Sequence, residues 1–353
     1  MTANRIDDHK LIFHPERVAG WLATGDCFPV YVEIGLTNRC NHQCAFCALD
    51  WLDHKQAAVF IDREVLLRNL ADMAAHGVRS LMFAGEGESL LHRDAAEFIR
   101  AAHGHGIKVA LTTNGVPFGP RLAAQALPHL SWVRFSVSAG TPETYARIHQ
   151  TQADDFARVL SNIASAARLK KEGRLDVDIG VQMLLIQDNA HEATLLAEQV
   201  KKAGADNLQI KPYSHHPNSR NEFVVDYSRY DALEAELAAF ADPSFTVFFR
   251  RNTIQRIRAG FEYDTCHGLP FFALVTATGD VIPCNLFYGD ADATYGNLND
   301  RLVSEIWRGE KRRAVLETLR HKGIASCREA CRLDPINRYL HRVKHPESRD
   351  VFI

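Results

Sequence analysis

The sequence predicts an α/β protein, a partial (β/α)6 TIM-like barrel followed by a small C-terminal domain. Six strand-like segments alternate with helical segments between Val30 and Pro212, the alternation stops after Tyr213, and four of the eight cysteines lie beyond residue 262. Regular strand–helix alternation implies a parallel sheet with right-handed crossovers. A chain of 353 residues is long enough for a barrel with an appended domain.

The elements follow in order after a short lead-in over residues 1–29. The alternation of β-branched and other residues from Val30 to Leu36 predicts the first strand of a barrel that we expect over residues 30–262. A helix is predicted over 227–241 and a further strand over 244–250. The structural alternative to the partial barrel is a closed barrel of eight strands. The other predicted barrel strands are 79–84, 107–113, 131–138, 175–186 and 207–212, and the predicted helices between them are 62–76, 92–105, 120–127, 191–204 and two segments within 142–172.

Residues 263–353 differ in character from the barrel and are expected to form a second domain. A hairpin is predicted around Thr278-Gly279-Asp280, and helices are predicted near 301–319 and 327–342. Composition excludes several classes of protein. A formal net charge of -2 gives no basis for binding nucleic acid, and neither a signal peptide nor an apolar run of membrane-spanning length is visible. These features predict a cytoplasmic protein without nucleic-acid or membrane partners.

Three cysteines, Cys40, Cys44 and Cys47, occupy one short loop directly after the first strand. A loop can wrap three thiolates around a compact inorganic core, and an iron–sulfur cluster is the core that suits them. A cubane cluster normally takes four cysteines, so three would leave one iron open. The alternatives are a zinc site that includes His42 or His54, or a redox pair formed by Cys44 and Cys47.

The spacing Cys-x3-Cys-x2-Cys, with Phe46 directly before the last cysteine, resembles the signature of the radical S-adenosylmethionine (SAM) enzymes. The resemblance implies that the open iron of a [4Fe–4S] cluster binds SAM, with Phe46 in the cofactor site. One electron then cleaves SAM to a 5′-deoxyadenosyl radical. It also implies a flavodoxin- or ferredoxin-type reductant.

A glycine-rich turn after the second strand contains Gly85, Gly87 and Glu88. Glycines at a strand end allow close backbone approach to a ligand, and Glu88 supplies a negative charge for an ammonium group. The turn resembles the Gly-Gly-Glu-Pro motif that holds the methionyl ammonium of SAM, with Ser89 in place of proline. The same resemblance implies SAM contacts from later strand ends, although helix capping is the alternative role for such residues; the residues are Asn114, Ser136, Ser138 and Gln182.

The sixth strand ends in a run of groups that can transfer protons or bind substrate. Lys211, Tyr213 and His215 are candidate acids, bases or binding groups, and Arg220 follows in the same polar segment. The alternative is a polar loop whose histidines are only solvated.

The C-terminal cysteines Cys266, Cys284, Cys327 and Cys331 can close around one complete cubane cluster, and a four-cysteine zinc site is the alternative. The pattern resembles the twitch domain, a shortened form of the SPASM domain that carries one auxiliary [4Fe–4S] cluster. Only Cys27 is left unassigned, and we expect it to be a small buried hydrophobic residue.

A fully ligated auxiliary cluster can exchange electrons but cannot bind substrate without losing a thiolate. The sequence therefore predicts an oxidation, in which a carbon radical next to a hydroxyl loses a proton to Lys211, His215 or Arg220 and passes its electron to the auxiliary cluster. Twitch-containing relatives suggest a small carbohydrate-like substrate, such as a sugar, an aminocyclitol or a nucleotide sugar.

Three alternatives to this function remain open. The first is a sugar epimerase. The second is a ribosomal-peptide maturase, although 29 residues before the first strand leave no room for the peptide-recognition domain that many of these enzymes carry. The third is non-enzymatic, a zinc-stabilised binding module.

Overall fold

One mixed sheet organises the protein. The computed structural model describes residues 9–52, 57–329 and 331–352. Within these residues, the sheet has the order β10-β9-β8-β1-β2-β3-β4-β5-β6-β7. Its strands are β1 (Tyr31–Ile34), β2 (Ser80–Phe83), β3 (Lys108–Thr113), β4 (Trp132–Ser136), β5 (Asp178–Leu185), β6 (Asn207–Pro212), β7 (Thr246–Phe249), β8 (Phe272–Val275), β9 (Asp280–Ile282) and β10 (Gly296–Asn297).

Strands β1 to β7 pair in parallel, which confirms the α/β class and the partial-barrel architecture predicted from the sequence. All six predicted barrel strands are present, and β7 corresponds to the further strand predicted over 244–250. Because the strands are parallel and in register, their carboxyl ends meet at one edge of the sheet. The Cys40–Cys47 loop, which follows β1, lies at that edge.

The C-terminal hairpin extends the same sheet. Strand β8 pairs in parallel with β1 on the side opposite β2, and β9 and β10 follow in antiparallel pairing. The first barrel strand is thus hydrogen-bonded to both the barrel and the C-terminal region.

Helices cover the outer face of the sheet because every parallel connection needs a crossover. Asp62 caps α2 by accepting a hydrogen bond from Val65 N (2.9 Å), and Thr141 caps α5 by accepting one from Thr144 N (3.3 Å). The helices of the described residues are α1 (Pro15–Thr24), α2 (Arg63–Ala75), α3 (Ala95–Gly104), α4 (Pro120–Ala126), α5 (Pro142–His149), α6 (Asp154–Gly173), α7 (Ala193–Lys202), α8 (Asp231–Ala238), α9 (Arg251–Ala259), α10 (Val303–Arg308), α11 (Glu310–Lys322) and α12 (Asp334–Lys344).

Alternation along the strands separates the core from the inner face of the sheet. On β1, Val32 and Ile34 are fully buried in the main hydrophobic core. Tyr31 and Glu33 point the opposite way and contact Arg332 of the C-terminal region. The inner face therefore carries the polar side chains, as expected for a sheet that encloses a binding site.

Three predicted helices have different bounds in the structure. The helix expected over 301–319 is divided into α10 and α11 because Gly309 adopts an extended conformation. The helix expected over 327–342 begins only at Asp334, since the segment before it carries Cys327 and Cys331. The helix expected over 227–241 is limited to α8, after a 3-10 turn over Tyr227–Tyr230. None of the helices in the described residues is long and apolar enough to span a membrane.

Candidate active site

The first cysteine loop is held by backbone hydrogen bonds to the end of α5. Gln43 N donates to His149 O (3.2 Å) and Ala45 N donates to Ile148 O (2.8 Å). A further bond, from Cys47 N to Cys44 O (2.9 Å), closes a tight turn between two of the cysteines. The loop is thus positioned by α5 as well as by the strand that precedes it.

The three thiols of this loop lie close enough to influence one another electrostatically. Burial raises the pKa of Cys44 well above its ordinary value, and negative charge on Cys40 and Cys47 raises it further. All eight cysteines are free thiols, and a redox pair of Cys44 and Cys47 would leave Cys40 without a role. Three thiolates this close together destabilise one another unless a cationic core binds them. The donor set therefore fits an iron–sulfur cluster.

A second metal-ligating set overlaps with this loop. The ligand atoms of His42, Cys44 and His149 lie within 4.8 Å of one another. This set would leave Cys40 and Cys47 without a role. It would use His149 through Nδ1, which faces Cys44, since Nε2 accepts a hydrogen bond from Ser138 N (3.0 Å). His54, the other histidine of the zinc hypothesis, lies outside the described residues.

Glu88 is buried at the end of the glycine-rich turn and is held by three donors. Its carboxylate accepts hydrogen bonds from Leu90 N (3.1 Å), Thr113 Oγ1 (2.9 Å) and Asn114 N (2.7 Å). Burial nonetheless raises the pKa of this carboxyl above its ordinary value. A carboxylate has about four acceptor positions, so roughly one remains for an external ammonium group.

The two glycines of this turn are required by close backbone packing. A side chain at Gly87 would overlap the carbonyl oxygens of Thr37 and Arg39, and Gly85 has a φ of 144° and lies against Gly35. Glu88 N donates to Arg39 O (2.7 Å), so the turn is bound directly to the cysteine loop. The glycines therefore pack against the backbone segment that leads into Cys40.

The polar residues at the later strand ends do not cap helices. The N-caps of α4 and α5 are Gly119 and Thr141, not Asn114, Ser136 or Ser138. The Asn114 side chain donates to Asn41 Oδ1 (2.7 Å), next to Cys40, and Ser138 Oγ accepts from Leu184 N (3.2 Å).

Ser136 and Gln182 occupy matched positions on β4 and β5. Both side chains are half-buried on the inner face, and neither forms a hydrogen bond within the described residues. These two side chains are therefore available to a ligand. Phe46 lies beside the same region, with its ring edge-on to His149 at 5.3 Å.

Lys211 differs from the other three predicted catalytic residues. It is on the inner face of β6, and its ammonium group forms no hydrogen bond or ion pair within the described residues. Burial, followed by the positive charges of Arg250, Arg328 and Arg134, lowers the pKa of Lys211 to about 7. An amine in this state is half protonated near neutral pH and can either hold an anion or accept a proton.

Tyr213, His215 and Arg220 belong to the loop that follows β6. Tyr213 is buried and its hydroxyl donates to Asn221 O (3.1 Å), so it orders the loop, while His215 and Arg220 are exposed. The loop contacts the cysteine loop, since Arg220 N donates to Asp50 Oδ2 (3.0 Å) and the Asn221 amide donates to Cys47 O (2.9 Å). The structure thus places these residues beside the site but does not group their side chains with Lys211.

The four C-terminal thiols form a second cluster. Burial raises the pKa of Cys266 to about 11 and that of Cys331 to about 12, and mutual negative charge contributes in both cases. Burial also raises the pKa of Cys284 well above its ordinary value, with further contributions from the other three thiols. Four such thiols fit one fully ligated metal centre.

Cys27 lies apart from both groups. Its thiol donates to Pro270 O (3.4 Å), and burial raises its pKa to about 12. A thiol with this pKa is protonated at neutral pH, although Cys27 is half-buried and not fully buried as the sequence predicted.

Sequence reasoning missed several residues that contact the site. Arg134 faces inward on β4 and stacks on Trp132, with its guanidinium carbon 4.6 Å from the ring centre. Arg328, between two auxiliary cysteines, donates to Ser214 O (2.6 Å) and joins the C-terminal region to the loop after β6. Glu86 similarly joins the glycine-rich turn to the C-terminal hairpin by accepting from Ala277 N (2.7 Å). In the sequence, the only sign of these contacts is the position of Arg134 in β4, which places its side chain on the inner face of the sheet.

Comparison with known proteins agrees with this geometry. The model of the Radical SAM superfamily matches residues 34–197, and the model of an iron-sulfur cluster-binding domain, SPASM, matches residues 266–332. A probable GTP 3′,8-cyclase from Methanothermobacter thermautotrophicus is 30% identical over 223 residues, which cover 60% of this chain and 67% of that protein.

A PqqA peptide cyclase from Rhodopseudomonas palustris is 25% identical over 297 residues, which cover 79% of this chain and 74% of that protein. The crystal structure of Streptococcus suis SuiB bound to S-adenosylmethionine has a TM-score of 0.65 at 15% identity, covering 85% of this chain and 70% of that chain, and supports the fold. The chain therefore belongs to the radical SAM superfamily, with a C-terminal SPASM iron–sulfur domain, and its cofactors are SAM, a SAM-binding [4Fe–4S] cluster and an auxiliary [4Fe–4S] cluster.

Proposed function

We propose that this radical SAM enzyme oxidises a peptide substrate and binds it through an acidic group. The observation that carries the proposal is the concentration of positive charge around Lys211 on the inner face of the sheet. Arg134, Arg250 and Arg328 come from three different parts of the chain, and all three lower the pKa of Lys211. Like charges converge in this way where an anion is to be bound.

Carboxylates lie on the same face of the sheet. Glu33 is paired with Arg332, and the negative charge of Asp178 acts on Arg134. With the Gln209 amide oriented so that its oxygen faces Arg134, this oxygen accepts a hydrogen bond from Arg134 Nη2 (2.7 Å), and such a neutral partner does not cancel the charge. The convergence of three arginines on a half-buried amine that has no ion pair among the described residues favours a carboxylate or phosphate on the substrate.

This charge argues against the carbohydrate substrate predicted from the sequence. An aminocyclitol is itself a cation and would be repelled, and a neutral sugar would leave the Lys211 ammonium group without an anionic partner. The relatives reported above act by name on GTP and on a peptide. They support the peptide alternative better than the carbohydrate hypothesis.

The epimerase alternative also lacks a suitable residue. Seven of the eight cysteines lie in the two metal-binding groups, and Cys27 is bound to Pro270 away from both. No cysteine therefore remains near the inner face to return a hydrogen atom to the substrate.

The residues at the sheet edge have distinct proposed roles. Cys40, Cys44 and Cys47 would hold the SAM-binding cluster, and Glu88 and Asn114 would bind SAM beside it. When bound, these cofactors supply the 5′-deoxyadenosyl radical that abstracts a hydrogen atom from carbon, and the auxiliary cluster on Cys266, Cys284, Cys327 and Cys331 supplies an electron acceptor. Ser136 and Gln182 are the free polar groups that would complete SAM binding.

Lys211 would pair with the acidic group of the substrate. Its ammonium form is the one that attracts an anion, so binding should draw a proton to this amine. A flavodoxin- or ferredoxin-type protein remains the predicted source of the first electron.

A nucleotide is the second candidate substrate. Its support is the 30% identity to the GTP 3′,8-cyclase, and a triphosphate would also suit the positive charges. The match to the peptide cyclase extends over more of the chain, 79% against 60%, and for this reason we place the peptide first.

Activity under anaerobic conditions can decide between these substrates. The reconstituted enzyme would be incubated with SAM, reductant and one of four probes: a pool of random glutamate-containing peptides, the same pool with glutamine for glutamate, GTP, or a set of sugars and aminocyclitols. We expect the acidic peptides to increase 5′-deoxyadenosine formation above the substrate-free rate and to yield products two mass units lighter. Stimulation by the glutamine peptides to the same extent, or by GTP or sugars alone, would contradict the proposal.

A further inference from the structure

His149 makes an unusually close contact with the SAM-cluster loop. It is the last residue of α5 and is completely buried. Its Nδ1 lies 3.3 Å from the sulfur of Cys44, within hydrogen-bonding distance for sulfur. The Cys-x3-Cys-x2-Cys pattern gives no indication of this partner, because His149 is 105 residues away in the sequence.

The hydrogen-bond partner of Nε2 determines which of the two ring nitrogens of His149 carries the proton. Ser138 N lies 3.0 Å from Nε2, and a backbone N–H can only donate. Nε2 must therefore be an acceptor, which leaves the hydrogen of a neutral imidazole on Nδ1. The Nδ1–H group then points at the Cys44 sulfur and can only donate to it.

The ring is fixed in this orientation by its neighbours. Tyr145 stacks on it with ring centres 4.2 Å apart, and Phe46 packs edge-on at 5.3 Å. The backbone of the same residue is fixed too, because His149 O accepts from Gln43 N. A flip of the ring would exchange each nitrogen with a ring carbon, so it would lose both the bond from Ser138 N and the Nδ1 contact with the Cys44 sulfur.

We propose that His149 donates an N–H···S hydrogen bond to the Cys44 thiolate and thereby raises the reduction potential of the SAM-binding cluster. Reduction adds negative charge to the cluster and its thiolates, so a fixed donor stabilises the reduced form more than the oxidised form. His149 is thus a positioning residue that acts through Cys44. The inference depends on the cluster assignment but not on the identity of the substrate.

Two substitutions separate the donor from the acceptor function of the ring. In His149→Gln, the side-chain oxygen can replace Nε2 as the acceptor for Ser138 N, but no donor remains near Cys44. In His149→Asn, the side-chain NH2 can replace Nδ1 as the donor to Cys44. Both variants are small enough to fit, and both lose the stacking on Tyr145 to a similar degree, so they form a matched pair.

The measurement is an EPR-monitored redox titration of the reconstituted proteins. The signal of the SAM-binding cluster is identified by its change on addition of SAM. Iron and sulfide contents provide the control for cluster assembly. We expect the Gln variant to have about a tenfold lower ratio of reduced to oxidised cluster at a fixed potential, a shift of about 59 mV for a one-electron couple. The Asn variant should stay close to the wild type.

Equal potentials for the wild type and the Gln variant would overturn the proposal. If the Gln variant fails to assemble its cluster, pulsed EPR on 15N-histidine-labelled wild-type protein decides instead. A weak 15N coupling to the reduced cluster that persists with unlabelled SAM and in the His42→Gln variant supports the hydrogen bond from His149. The absence of any histidine coupling would overturn it, as would a strong coupling typical of a directly bound imidazole.

Discussion

The unusual environment of Lys211 leads to a prediction that does not require the substrate. Its pKa is lowered to about 7 by burial and by Arg250, Arg328 and Arg134, in that order. The pH dependence of labelling by a small acylating reagent reports this value directly, because only the neutral amine reacts. Mass spectrometry of the peptide that contains Lys211 gives the extent of labelling at each pH, and exposed Lys171 in the same sample is the internal reference.

The expected effect is large. At pH 7, about half of the Lys211 amines should be neutral, whereas an ordinary lysine with a pKa near 10.5 is neutral in about one molecule in 3,000. Lys211 labelling should therefore reach its plateau near pH 8. Replacement of Arg250 by Gln removes the largest of the three charge effects and should move the midpoint upward.

Addition of an anion tests the functional interpretation in the same assay. Acidic peptides should raise the labelling midpoint of Lys211, because a nearby carboxylate stabilises its ammonium form, and matched glutamine peptides should not. A Lys211 midpoint near 10 in the free protein would refute the electrostatic reasoning. A midpoint near 7 that acidic peptides leave unchanged would refute the anion-binding role.

Three further substitutions test separate parts of the structure. Glu88→Gln places an NH2 group against backbone donors, so the free energy of unfolding should fall by about 1–3 kcal/mol in urea titrations and SAM affinity should fall with it; unchanged values for both would contradict the role of Glu88. Cys284→Ser should reduce the iron content from about eight to about four per chain while SAM cleavage persists, and an unchanged iron content would exclude Cys284 as a ligand. Arg312→Leu leaves Asp26 without its buried partner and should cost about 2–4 kcal/mol, a loss that the added change Asp26→Asn should partly restore.

The sequence was sufficient for the barrel because the relevant signals are local. Each strand of β1 to β6 is a short apolar run that is joined to the next strand by a helical segment, so the parallel order follows from general rules of chain connection. The pairing of β8 with β1 could not be predicted, since it joins segments that are about 240 residues apart and depends on which sheet edge is left open. Similarly, Gly309 divides a helix whose side-chain pattern is continuous.

The candidate site shows the same division between local and distant signals. Cys40, Cys44, Cys47 and Glu88 were identifiable because their spacing along the chain is itself the pattern. The positive charge around Lys211 could not be identified in this way, because Arg134, Arg250 and Arg328 come together only when three parts of the chain pack against one another. The sequence also suggested that the residues after β6 act in catalysis, whereas Tyr213 is engaged in ordering its own loop.

In the proposed reaction, the enzyme oxidises a peptide that Lys211 holds through an acidic group. The most direct test is the yield of oxidised peptide per 5′-deoxyadenosine, measured by mass spectrometry for wild-type and Lys211→Met enzymes with the glutamate-containing and glutamine-containing pools. We predict near-stoichiometric product, two mass units lighter, only for wild-type enzyme with the glutamate peptides, and mainly uncoupled SAM cleavage in the other three combinations. Equal product yields from the two enzymes, or from the two pools, would contradict the account.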